Sequence, residues 1–394
     1  MSTINRNIPL DHAHTFTRNL NITHGIWVIF LLSRGFSMIH IGLFESLFHL
    51  SSIVFEVPTG IVADLYGRKF SRMCALVIGV SYFIILLFFS SIWMVSLGFI
   101  LLGLSYTFES GSGEALIYDT LKTMGKEDTF ARFNGRKEVV YQVAAMISLV
   151  IGGAVASVAY ELNFEIMIGV FIIAMIITSF MVEIKQKTHE SMSIFKRFKH
   201  HFLDSTKAVY QNKKLFYLII LSSLFAAPVT TIFFFAQEFF LDLSFTKIEI
   251  GIFLGLHSLS AAVGGLLAYR IEKYLGEKRT LYLVPLFIGS CFVLMMFPRF
   301  YTVGFVIIGF FDSLFFVVMS DYVNKITSSD KRATILSFGG FMFSVVMIVL
   351  FPLFGWIVDV FDMIVANIIL AMIVGVLYGV LALILRSIHF NKAL

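Results

Sequence analysis

The sequence predicts an all-α integral membrane protein with twelve transmembrane helices in two pseudo-symmetric six-helix bundles. Three observations predict it. The chain of 394 residues is 58% hydrophobic and only 14% charged, with 45 Phe, 17 Met and 6 Pro, a composition outside that of soluble domains. Apolar runs of roughly 20 residues recur along its whole length, each able to cross ~30 Å of hydrocarbon as a helix. With both termini on one side, every Lys and Arg except Arg34, Lys247 and Arg299 also falls on that side. Such a bias marks the cytoplasmic face.

The runs place the spans at about 14–33, 38–63, 73–91, 94–117, 138–159, 164–182, 215–240, 248–269, 281–298, 301–321, 333–356 and 364–385. The first is the least regular, because Arg18, Asn19, Asn21 and His24 interrupt its cytoplasmic half. An interfacial N-terminal segment followed by eleven helices is the competing count. Residues 1–11 are polar and lack the apolar core of a cleaved signal, so the first span is expected to serve as the insertion signal. Cys74 and Cys291 lie inside apolar spans, where a structural disulfide is not expected.

A polar stretch near the middle divides the chain into bundles at 1–182 and 215–394. The linker, 183–214, carries Lys185, Lys187, Lys196, Arg197, Lys199, Lys207, Lys213 and Lys214 with Ile194, Phe195, Phe198, Phe202 and Val209 interspersed. Two readings fit: a basic amphipathic helix on the anionic inner leaflet, or a flexible linker that is basic for topology alone. The pair His200–His201 in this linker reads as solvated, not as a metal site.

Between the second and third spans lies Gly60-Ile-Val-Ala-Asp64-Leu-Tyr-Gly67-Arg68-Lys69-Phe-Ser-Arg72. Glycines suit the turn, and the bases suit the cytoplasmic face. A faded copy, Gly265 to Arg279, falls between the eighth and ninth spans and lacks the acid. Tyr118-Asp119 and Lys122 at the end of the fourth span match Asp321-Tyr322 and Lys325 at the end of the tenth, and Arg136 matches Arg332. Such duplication is how many transporters build alternating access around a central site.

Ionisable groups inside spans are costly, which makes each a candidate for function. On the second span Glu45, His49, Ser52 and Glu56 follow a spacing of 4, 3 and 4, which stacks them on one helical face. A polar stripe of this kind lines a cavity or meets another helix. Glu45 and His49 can share a proton or a hydrogen bond. The fourth span carries Glu109 and Glu114 among Ser110, Gly111 and Gly113. Those two acids are about 140° apart around a helix, so one is expected to titrate and the other to pair with a base. Further candidates are His24, Gln237, Glu238, His257 and Asp312; Asp312 has a stronger claim than the lone His257. Pro228 is expected to kink the seventh span, and the pairs Gly152-Gly153, Gly264-Gly265 and Gly339-Gly340 are expected to serve helix packing.

The loop pattern G-x-x-x-D-x-x-G-R-K-x-x-R resembles the loop between helices 2 and 3 of the major facilitator superfamily. Glu56-Val-Pro58-Thr-Gly60, together with Glu109-Ser-Gly111 through Tyr118-Asp119, is similar to Gram-positive bacterial permeases of the drug-efflux type. The resemblance implies the major facilitator fold, a bacterial plasma membrane and a conformational latch formed by Gly60, Asp64, Gly67, Arg68, Arg72, Asp119, Arg136 and Arg332. In that latch Asp64 would cap the eleventh helix near Arg332, and Arg68 or Arg72 would pair with Asp119. Two features depart from the drug-antiporter pattern: no arginine lies within the fourth span, and the fifth has Gly152-Gly153 without a proline. Coupling would then run through Glu45, Glu56 or Glu109.

No P-loop, zinc-spaced Cys/His cluster or Ser-His-Asp order on a loop is present. The expectation is a non-enzymatic, monomeric secondary transporter without metal or cofactor, using the proton gradient and binding lipid, protons and a small substrate, not nucleic acid. Export of a small amphipathic or cationic compound is favoured over nutrient import by proton symport and over a transporter-like receptor. An anionic substrate would need intramembrane cations, for which only Arg18 and the histidines are available.

Overall fold

The structure, a computed structural model, describes residues 3–184, 212–327 and 332–387. Fourteen α-helices and no strand occur among the described residues. They are α1 (Asn7–Asn19), α2 (Trp27–Ser33), α3 (Met38–Tyr66), α4 (Arg68–Phe88), α5 (Ile92–Glu109), α6 (Ser112–Thr123), α7 (Phe130–Val158) and α8 (Tyr160–Ser179). After the linker come α9 (Lys213–Asp242), α10 (Lys247–Leu275), α11 (Glu277–Met295), α12 (Pro298–Ile326), α13 (Arg332–Val360) and α14 (Met363–Ser387). Among the described residues, eleven helical stretches are long and apolar enough to cross a membrane, α5 and α6 together making one of them. The remaining crossing is the first, built from α1 and α2. Most helices overrun the apolar windows, because their polar ends project past the hydrocarbon while keeping helical hydrogen bonds. Nearly all of the basic linker lies outside the described residues.

The first crossing differs from its expected form. Its helix starts at Asn7 instead of residue 14, and the polar segment is packed protein, not a tail. The helix α1 rests on α6, α7 and α8 and buries Asn7, Asp11 and His14. Burial of Asn7 is tolerated because its amide is satisfied: Nδ2 donates to Val182 O at 2.9 Å and Thr120 Oγ1 at 3.1 Å, and Oδ1 accepts from Val182 N at 2.7 Å.

Between α1 and α2 the chain unwinds over residues 20–26. Unwound backbone at membrane depth needs substitute partners. Asn163 Nδ2 donates to the Ile22 carbonyl at 2.9 Å and to that of Gly152 at 3.0 Å. Asn21 Oδ1 accepts from Thr23 N at 3.2 Å and Thr23 Oγ1 at 2.6 Å, a local turn of the kind asparagine favours. A Cβ at position 152 would collide with the Ile22 carbonyl, so this glycine is needed for the close approach.

The duplication is visible in the backbone. The helices α3 and α10 are each 29 residues long. Each ends one residue before a left-handed glycine that starts the next helix: Gly67 at φ 110°, ψ 157° and Gly276 at φ 78°, ψ 159°. At the first turn of α4 the Glu183 carboxylate accepts from Arg68 N at 3.0 Å and Lys69 N at 2.7 Å, an anion placed where the helix dipole favours it. At the first turn of α11, Glu277 pairs with Lys214 at 2.8 Å.

The chain forms two compact units. The first comprises residues 3–35, 43–184 and 246–251, and the second comprises 36–42, 212–245, 252–327 and 332–387, within the described residues. Both units use scarce charges to satisfy helix ends. In the first, Arg34 donates to Leu86 O at 2.7 Å and Leu87 O at 2.8 Å at the end of α4. Lys247 donates to Ala156 O at 2.9 Å near the end of α7, with its ammonium 3.5 Å from the centre of the Tyr160 ring. In the second, Asp359 accepts from Met38 N at 2.9 Å and Ile39 N at 2.8 Å at the start of α3. Two of the three bases that the sequence sets apart from the rest, Arg34 and Lys247, therefore cap helix C-termini, where a cation is favoured.

Replacing Gly67 by alanine forces a side chain into left-handed backbone and against the Glu183 carboxylate. A stability loss of about 1–3 kcal/mol is expected, measured as a lower unfolding temperature in detergent. Equal melting of Gly67→Ala and the parent protein would refute the assigned turn.

Candidate functional site

The centre of the first unit is a guanidinium. Arg72, one turn into α4, has 0% exposure. It sits there because Gly67 reverses the chain and sends the first turn of α4 inward, past α1 and the end of α5. Arg72 Nη1 donates to Asp11 Oδ1 at 2.6 Å, and Nη2 lies 3.0 Å from Glu109 Oε1. Lys137 Nζ lies 3.7 Å from Asp11 Oδ2, and His14 Nε2 lies 3.3 Å from Glu109 Oε1. His14 Nδ1 is held by Thr178 Oγ1 at 2.8 Å, whose hydroxyl donates to Ala174 O. Two acids thus face two bases, with His14 against one acid, which is the pairing a buried charge needs.

This arrangement replaces the expected pairing of Arg68 or Arg72 with Asp119. Arg68 instead pairs with Asp64 one turn away at 2.8 Å, and the partners of Arg72 are Asp11 and Glu109. The reason is local: α1 brings Asp11 into the bundle, and α5 stops at Glu109. The chain breaks at Ser110 and at Gly111, which has φ 70°, and α6 starts at Ser112. Sequence reasoning missed Asp11 because residues 1–11 read as a tail, and it passed over His14 at the start of the first span. The available signal was spacing: Asn7, Asp11, His14 and Arg18 recur at intervals of 4, 3 and 4, the same face pattern recognised on the second span.

On α3 the stripe divides. Glu45 and His49 are buried, at 8% and 7% exposure, with His49 Nε2 3.8 Å from Glu45 Oε1. Ser52 donates back to Phe48 O at 2.9 Å, and Glu56 is exposed. Glu114 is exposed in the first turn of α6, and Asp119 is buried on the same helix. Gly60 meets nothing a Cβ would touch, and Arg136 is exposed on α7. Arg332 starts α13; its side chain lies outside the described residues.

The second unit holds Gln237, His257 and Asp312. Gln237 is fully buried on α9. His257 is a packing residue: its Nδ1 lies 2.7 Å from Phe305 O, its ring touches Phe233 and Phe305, and Gly309 packs on its backbone. A carbonyl only accepts, so Nδ1 carries the proton. Asp312 is half-buried midway along α12 and has no hydrogen bond or ion pair among the described residues. No group of three or more His, Cys, Asp or Glu side chains able to hold a metal occurs among the described residues.

Comparison with known proteins decides the family. The family model described as Major Facilitator Superfamily matches residues 15–302 and 241–392. The chain belongs to the Major Facilitator Superfamily. It is therefore a multi-pass membrane transporter and not an enzyme. The MFS-type transporter YxaM of Bacillus subtilis (strain 168) is 24% identical over 336 residues, covering 81% of this chain and 80% of that protein. Among solved structures, the nucleoside transporter NupG superposes with a TM-score of 0.79 at 15% identity, covering 98% of this chain and 100% of that one. A bacterial homologue of the human lysosomal transporter Spinster gives 0.72 at 13% identity, covering 98% and 96%. At such identities the likeness reports the fold alone.

Arg72→Met should leave Asp11 and Glu109 buried with too few bases. The expected loss is about 3–5 kcal/mol, read as a lower melting temperature and a lower folded yield. Adding Asp11→Asn to Arg72→Met should recover part of that loss, because one stranded charge is removed. A double variant no more stable than the single would refute the pairing.

Proposed function

We propose that this chain is a proton-coupled secondary transporter of a small amphipathic compound, working by alternating access, with Glu45 and His49 as its proton-carrying pair. The observation that carries this reading is the state of the acids in the first unit. Glu109, a candidate for coupling from the sequence, lies 3.0 Å from the Arg72 guanidinium and serves as a fixed counter-ion. Glu56 is exposed. Glu45 combines burial with a histidine that can take or return its proton and, unlike Glu109 beside His14, has no guanidinium at ion-pair distance among the described residues. Exposed aromatic side chains on the same unit, Tyr106 at 53% and Tyr141 at 41%, suit a ligand with an apolar body and polar groups.

The likeness of Glu56 to Gly60 and of Glu109 to Asp119 to drug-efflux-type permeases supports export in exchange for protons. The Asp64–Arg68 pair and the Glu183 cap at Gly67 support a switching role for that hinge. Both pairings join loop ends by surface-type charge contacts, which are worth little individually and are easily exchanged.

The reading is tested in proteoliposomes with an imposed pH gradient and a panel of amphipathic compounds. Substrate-dependent proton flux is expected, its sign separating antiport from symport. Glu45→Gln should abolish pH-driven flux while leaving the melting temperature near that of the parent, whereas Glu109→Gln should lower the melting temperature. Unchanged coupling in Glu45→Gln would sink the assignment of the pair.

A further inference from the structure

The charged cluster of the first unit is not fully satisfied by its own side chains. Asp11, His14, Arg72 and Glu109 meet inside the bundle at the distances given above. Even so, five of their polar atoms are buried without a hydrogen-bond partner among the described residues: Asp11 Oδ2, His14 Nε2, Arg72 Nε and Nη2, and Glu109 Oε2. Asp11 and Arg72 have no exposed surface, and His14 is 1% exposed. A buried donor or acceptor left unanswered costs about 1–3 kcal/mol, and more where it carries charge. Native interiors hold few such groups, and several side by side call for a physical reason.

The geometry identifies the chemistry that answers them. In a guanidinium the Nε–H and one Nη2–H point the same way, and together they form an edge that takes both oxygens of a carboxylate in bidentate pairs. Glu109 approaches with one oxygen only. Its Oε1 lies 3.0 Å from Nη2, while Oε2 and Arg72 Nε have no hydrogen bond. A second gap lies between Lys137 Nζ and Asp11 Oδ2, which are 3.7 Å apart. That is beyond direct hydrogen-bond reach and is a separation at which water joins polar groups. The unanswered atoms are of both kinds. Arg72 Nε–H and Nη2–H can only donate, and the carboxylate oxygens Asp11 Oδ2 and Glu109 Oε2 can only accept. A metal cation would satisfy the oxygens and meet the donors with like charge, and an anion would do the reverse. Water donates twice and accepts twice, and two to four polar partners are what a buried water needs.

We propose that ordered water is bound inside this cluster, bridging the Nε–Nη2 edge of Arg72 to Glu109 Oε2, and Lys137 Nζ to Asp11 Oδ2. The centre of the first unit is then a hydrated joint. Its charges come from α1 (Asp11, His14), α4 (Arg72), α5 (Glu109) and α7 (Lys137), and α8 holds His14 through Thr178. Water keeps these charges solvated away from bulk solvent, and it can exchange one polar contact for another at small cost. The helices that meet here therefore stay tied while they shift against one another. The inference is independent of the substrate and of proton coupling.

A reporter stands beside the cluster. Met181 is 1% exposed, and its sulfur accepts from Arg72 Nη1 at 3.7 Å. Met319 and Met347 are as deeply buried, at 1% and 0%, and Tyr274 is 87% exposed. The purified full-length protein in nanodiscs is irradiated with short X-ray pulses, which convert water to hydroxyl radicals. Oxidation at each side chain is then measured by mass spectrometry. A radical formed from water held in the cluster reaches the Met181 thioether without crossing bulk solvent. Met181 is expected to form sulfoxide roughly tenfold or more faster than Met319 and Met347, as water held at a buried polar site implies. A radical scavenger in the buffer should suppress oxidation of Tyr274 and leave that of Met181 unchanged. Asp11→Asn combined with Arg72→Met should bring Met181 down to the rate of Met319; where that variant does not fold, the comparison within the parent protein decides. Oxidation of Met181 no faster than that of Met319 and Met347 would overturn the proposal. So would suppression of Met181 by the scavenger in parallel with Tyr274, since the radicals would then arrive from bulk solvent through an opening of the bundle.

Discussion

A guanidinium with no exposed surface must be neutralised by partners that are themselves fixed, and this need at Arg72 organises the first unit. Removing a charge of this kind from water costs several kcal/mol even after relaxation. The cost is offset only if acids approach with good geometry. Asp11 can do so only if the N-terminal segment enters the bundle as a helix, and Glu109 can do so only if it lies at the end of α5. The packing of α1 on α6, α7 and α8, the stop at Ser110, and the amide clamp from Asn7 to Val182 and Thr120 all bring these partners to Arg72. The hinge at Gly67 completes the arrangement, because it sets the direction in which α4 begins.

Much of the fold was legible in the sequence because hydrocarbon is a demanding solvent. It requires long apolar runs with internally satisfied backbones, and the asymmetry of the bases fixes their common side. The twelve crossings could therefore be placed by counting. What escaped was the polar end of the first crossing. A segment such as Asn7 to Arg18 has no apolar run, and burial of its acid depends on a base 61 residues away. No local property of the chain announces that distant partner. The spacing of Asn7, Asp11, His14 and Arg18 did announce a face, and it went unread because the same segment looked like a tail.

The candidate site was legible to a different degree. Clustering of Glu45, His49, Ser52 and Glu56 on one helical face follows from periodicity alone. Which acid of the unit lacks a guanidinium partner does not, since that depends on Arg72 in another helix. The Asp119 pairing implied by family resemblance was replaced for a related reason. A helix-end arginine takes the acid that local packing brings nearest, and in this chain α1 supplies one from a segment the resemblance does not cover.

The two halves descend from one design but have diverged in where they tolerate irregular backbone. Gly67 and Gly276 keep nearly the same ψ, and the helices before them keep the same length, so the hinge geometry has been retained in both. Among the described residues, the breaks at 20–26 and at Ser110–Gly111 belong to the first half, together with its buried charges. In the second half, the crossing that carries His257 is packed by phenylalanines and glycine, with the imidazole bound to a carbonyl. An unwound segment costs hydrogen bonds that must be replaced one by one, as Asn163 replaces them at Ile22 and Gly152. Such a feature persists where it places a group that a regular helix would hide.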